Sequence, residues 1–170
     1  IRFEKSDYPW AARLHVTDFE HPITRGLPQD LFWGTDSSIG PVFHAKDADA
    51  RTLGQVVTAH GRCKPGFVIK QMDGWSSVWL AAPGVPAPIL RGIARHAGVH
   101  LYNEAGDVLH ASKSLLSVHT VSGGARRFAL PHLVEIVYDL YHDRVLARDA
   151  SEFQDTLQPA SSALYYTGDE

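Results

Sequence analysis

Histidines are the first residues whose number invites a chemical reading, ten of them at positions 15, 21, 44, 60, 96, 100, 110, 119, 132 and 142. A zinc site needs ligands grouped at short, fixed spacings. The one pair four apart is His96 and His100, and Gly98 between them should end a helix before both can share a face. His-x-Glu-x-x-His and Cys-x-x-Cys patterns do not occur, so no metal site and no cofactor is expected. Cys63 stands in His60-Gly61-Arg62-Cys63-Lys64-Pro65-Gly66, whose cations would favour a thiolate. A nucleophile elbow, however, needs a helix after it, and Pro65-Gly66 leads into a strand; Gly-x-Ser-x-Gly is absent too.

Glycoside hydrolysis requires two carboxyl groups facing each other across a sugar, about 5 to 9.5 Å apart. Asp36, Asp47, Asp49, Asp73, Glu104, Asp107, Glu135 and Asp139 fall in turn-like segments or at alternating strand positions, where solvated faces account for them. No catalytic residue is assigned. Flat aromatic faces can stack on sugar rings, and Trp10, Trp33, Trp75 and Tyr102 lie beside Pro, Gly or Asp in loop-like segments where exposure is expected. These four are the candidate carbohydrate-binding residues. Trp79, Tyr138 and Tyr165 alternate with polar neighbours and are expected in the core.

The elements that would position them follow from periodicity. A short strand is expected at 12–16, and runs rich in β-branched and aromatic residues at 51–57, 66–70 and 76–80 predict strands of one sheet. After Pro83-Gly84-Val85-Pro86, apolar residues at Ile89, Leu90, Ile93, Ala94 and Ala97 predict one helix over 88–97, stopped by Gly98. Short strand signals then recur at 107–111, 115–121, 126–130, 134–139, 145–147, 152–157 and 163–166, with turn residues at Ser122-Gly123-Gly124, Pro131-His132 and Gln158-Pro159-Ala160. The expected architecture is a partial α/β layer over 1–100, short strands plus one main helix, followed by a small antiparallel β-sandwich over 101–170.

Composition narrows the partners. Sixteen basic residues scattered among nineteen acidic ones leave a net charge of -3 and no basic stripe for a phosphate backbone, so nucleic acid is not expected. No apolar run approaches the roughly 20 residues of a transmembrane helix. One cysteine leaves the compartment open. The start, Ile1-Arg2-Phe3-Glu4-Lys5, reads as a chain cut out of something longer.

Several motifs add a family likeness: His21-Pro22-Ile23-Thr24-Arg25-Gly26-Leu27-Pro28, Gly40-Pro41-Val42-Phe43, Ser77-Val78-Trp79, and above all Ile93-Ala94-Arg95-His96-Ala97-Gly98-Val99-His100-Leu101-Tyr102. Gly106-Asp107-Val108-Leu109-His110-Ala111, Leu116-Ser117-Val118-His119 and Phe128-Ala129-Leu130-Pro131 continue it. The chain resembles the C-terminal region of bacterial beta-galactosidase-like glycoside hydrolases: the end of their glutamine-amidotransferase-like trimerisation domain and the small β domain after it. In such enzymes the catalytic glutamates belong to a TIM barrel of about 250 residues, which is not in this chain, so no catalytic residue can be carried over. What the resemblance implies is an accessory role, in a homo-oligomer or against a catalytic barrel. Two alternatives stay open: a carbohydrate-binding module, and a small stand-alone hydrolytic or metal-dependent enzyme.

Overall fold

A computed structural model of the chain describes residues 1–6, 9–57 and 61–169. It divides into two compact units, Ile1–Ala97 and Gly98–Glu170. The first holds strands β1 (Phe3–Lys5), β2 (Arg13–Val16), β3 (Phe32–Gly34), β4 (Phe43–Ala45), β5 (Arg51–Val57), β6 (Cys63–Gln71) and β7 (Ser76–Leu80), then helix α1 (Ala87–His96). β3, β2, β5, β6 and β7 lie side by side in that order as one sheet, while β1 and β4 form a separate ribbon. Every neighbouring pair runs antiparallel.

This corrects the expected α/β layer. Parallel strands need a crossover of a dozen or more residues, usually a helix, but β6 and β7 are joined by residues 72–75 alone. The single helix among the described residues follows the sheet and crosses over nothing, so the unit is mostly β.

Strand β6 shows why the unit closes into two layers. Side chains alternate across a strand, and Phe67 and Ile69 enter a core with Leu14, Trp33, Leu53, Val56 and Ile89. Val68, fully buried, therefore faces the opposite side, where it pairs across the sheet with Trp79. The Phe3 ring of the ribbon lies 4.8 Å from Trp79. Helix α1 begins after Pro86 and buries Ile89 and Gly92. Gly92 is required by close approach, because a Cβ there would sit 2.0 Å from the Ile23 carbonyl oxygen.

The second unit is one antiparallel sheet in the order β11-β10-β12-β9-β8, from β8 (Val108–Ala111), β9 (Leu115–Thr120), β10 (Gly124–Asp139), β11 (Arg144–Leu157) and β12 (Ser161–Gly168). The predicted turn at Pro131-His132 and the predicted break between 147 and 152 both lie inside continuous strands. Proline cannot donate to a ladder and is tolerated in strands at irregularities. Pro131 sits in such a place, where the β10–β11 register shifts between Ala129 and Val134.

That shift bends the hairpin. Phe128 precedes Asp139 by about 36 Å of extended strand, yet its ring lies 5.6 Å from that of Tyr165, a residue paired with Asp139. The sandwich-like packing thus arises from one sheet folded over its own core, with Phe128, Phe153 and Tyr165 in mutual ring contact. Leu116, Val118, Leu130, Val134, Val137, Leu157 and Ala163 pack with them.

Candidate functional site

Of the four aromatic candidates, three lie in the first unit and Tyr102 in the second. Trp33 is only 7% exposed and meets Phe67 edge-on at 6.3 Å in the core of the first unit, so its face is closed to a sugar. Trp10 is half-buried against the same core and bridges to Ile39. Both indole N–H groups are buried without a hydrogen-bond partner among the described residues. Trp75 stands alone at the tip of the β6–β7 hairpin, 58% exposed. Tyr102 belongs to the second unit, half-buried, edge-on to His100 at 4.7 Å, with its carbonyl accepting from the Ala129 amide.

Among the exposed aromatics that escaped sequence reasoning are Phe3 and Phe43, 45% and 41% exposed. The register Lys5↔Phe43 and Phe3↔Ala45 places both on one face of the β1–β4 ribbon. Lys5 and Ala45 share that face, and the Phe3 ring packs on Trp79 beside it.

Cys63 is exposed at the start of β6, and His60 lies outside the described residues. His96 ends α1 and its ring lies 5.2 Å from that of His21. His21 accepts a hydrogen bond at Nδ1 from the Ile23 amide, and burial lowers its pKa. Among the described residues no group of three or more His, Cys, Asp or Glu side chains could hold a metal ion.

Charged chemistry concentrates at one end of the second unit. Asp139 is fully buried at the end of β10. Its Oδ1 accepts the amides of Tyr141 and His142, at 3.1 and 3.3 Å, and its Oδ2 accepts Arg144 Nε at 3.1 Å and lies 2.8 Å from His142 Nδ1. Arg144 Nη2 reaches Asp155 Oδ1 at 2.8 Å, and the Tyr165 hydroxyl donates to Asp155 Oδ2 at 2.9 Å. Burial alone would raise the Asp139 carboxyl, but the bonds from His142, Arg144 and the Tyr141 amide outweigh it and hold it below the usual range. Burial, then the bond to Asp155, pushes the Tyr165 phenol up. A general acid for glycoside cleavage needs a raised carboxyl. Asp139 is shifted the other way, as is Asp107 under the Arg126 guanidinium; both act as anchors of charge.

A sequence signal for this cluster existed. Period-two alternation puts Asp139 on the face of Val137, and Asp155 between Phe153 and Leu157, all buried. A carboxylate on an apolar strand face must find partners.

No protein-family model and no curated protein sequence matches the chain. Among solved structures, beta-galactosidase from Bacillus circulans sp. alkalophilus matches 98% of this chain with a TM-score of 0.53 at 15% identity. A cold-adapted beta-galactosidase from Rahnella sp. R3 matches 96% with a TM-score of 0.51 at 8% identity. The likeness is one of fold. The chain spans 24% and 23% of those two proteins, so it corresponds to about a quarter of each. Coverage this complete takes in both units. No helix among the described residues is long and apolar enough to cross a membrane.

Proposed function

We propose that this chain is a non-catalytic accessory and assembly region of a beta-galactosidase-like enzyme, packing against a catalytic barrel or a neighbouring subunit. The observation that supports it most is coverage: nearly all of this chain, but only about a quarter of a beta-galactosidase, takes part in the fold match. The face that carries Phe3 and Phe43, with Trp79 beside it, is the surface such packing would use. Its carboxylates fit the same reading, since Asp139, Asp107 and Asp47 are each tied to a cation of their own unit.

The test is hydrophobic-dye fluorescence on the folded chain. Strong binding that falls in the Phe3→Ser, Phe43→Ser double variant, with the melting temperature held, is the expected outcome. A chain that binds no dye has no bare packing face, and the proposal fails.

A further inference from the structure

We propose that the Asp139–Arg144–Asp155 end of the second unit is a binding cleft for a neutral sugar, a site separate from the four aromatic residues singled out by sequence. A depression of about 460 Å³ opens there between the β10–β11 turn and the start of β12, walled by Tyr141, Arg144, Thr156, Gln158 and Ser161. That volume falls within the ~300–1,000 Å³ of ordinary small-molecule clefts.

Three features give the cleft the chemistry of a polyol site. Tyr141, 60% exposed, presents a flat apolar ring at the rim. Arg144 uses Nε and Nη2 on the two buried aspartates, which fixes the guanidinium plane and leaves Nη1 available to donate to a ligand. The Gln158 amide and the Thr156 hydroxyl make no hydrogen bond to any described residue and lie in the same wall. Fixed donors and acceptors beside an aromatic ring match the alternating hydroxyl and C–H faces of a pyranose.

Charge discriminates against anions. One guanidinium faces two carboxylates, Asp139 and Asp155, so these three groups together carry a net negative charge. A phosphate or carboxylate ligand would meet that charge; a neutral sugar does not.

The cleft is also preorganised. Asp139 holds the Tyr141 and His142 amides, the Leu140 amide donates to the Leu164 carbonyl at 2.9 Å, and the Tyr138 hydroxyl bonds Asp143. Binding would not have to order the rim, which removes a cost that flexible loops bear.

The proposal stands apart from the assembly reading, since a monomer could bind sugar and an oligomer could ignore it. Ligand-observed saturation-transfer NMR on the full chain, with galactose, glucose, lactose and inorganic phosphate as probes, tests it. A sugar Kd of about 1 mM is expected. Tyr141→Ala should weaken it roughly tenfold and Gln158→Ala severalfold, while Trp75→Ala leaves it unchanged. Because Tyr141 is exposed, its variant should melt with the parent chain. The proposal is overturned if none of the three sugars receives saturation, if phosphate binds more tightly than sugar, or if Tyr141→Ala retains full sugar affinity.

Discussion

Asp139 is a fully buried carboxylate that joins β10 to Arg144, so a single change there should be felt by the second unit. Replacing it with asparagine keeps the shape but strips the negative charge that faces Arg144 and His142. Because Arg144 is half-exposed and can recover water, the expected loss is about 2–3 kcal/mol, below the ~3–5 of a fully buried pair. Chemical denaturation of Asp139→Asn measures it, and a loss under 1 kcal/mol would mean the cluster contributes little. Asp47 in the first unit offers a pH test. Hydrogen bonds from Lys70 and the Arg2 amide lower its pKa from 3.8 to about 2. A carboxyl depressed in the folded state stabilises above its unfolded value and ceases to do so as pH falls through the folded one. Asp47→Asn should therefore melt below the parent at pH 6, and the gap should close between about pH 4 and 2. Thermal melts across that range check it; a gap independent of pH would assign the effect to packing.

At the scale of elements, helix α1 turns on Gly92. Alanine inside a helix is ordinarily better than glycine by about 1 kcal/mol. Here the added carbon would lie 2.0 Å from the Ile23 carbonyl oxygen, a backbone atom that cannot swing aside. Overpacking costs about 1–3 kcal/mol, so the clash should win and Gly92→Ala should lower the melting temperature. A variant as stable as the parent would show that the 21–27 turn yields easily. Elements with strong local signals were legible in sequence: β5, β7 and α1 lie within a residue or so of their predicted spans. Strands β1, β3 and β4, three residues each, were not, because so short a run carries no periodicity and is held by its neighbours. Pro131 misled for a related reason. Proline signals a turn locally, and only the register of the partner strand makes it a bulge. For the candidate site, Asp139 and Asp155 were readable from alternation, whereas Trp33 looked exposed because its Gly34 neighbour suggested a loop when it ends an edge strand.

For the whole molecule, strand order and chain direction decide more than strand content. The same β signals fit an α/β layer or an antiparallel sheet, and connection length separates them: residues 72–75 between β6 and β7 leave room for a turn alone. The proposed assembly role rests on the faces the chain leaves bare. Phe3 and Phe43 on one face of the β1–β4 ribbon, with Trp79 beside them, are the surface through which assembly would proceed. The most direct test is the mass of the purified chain in solution, by light scattering over a range of concentrations, beside that of the Phe3→Ser, Phe43→Ser variant. A closed oligomer that reverts to monomer in the variant is the expected result; a parent chain that stays monomeric at every concentration would contradict self-assembly.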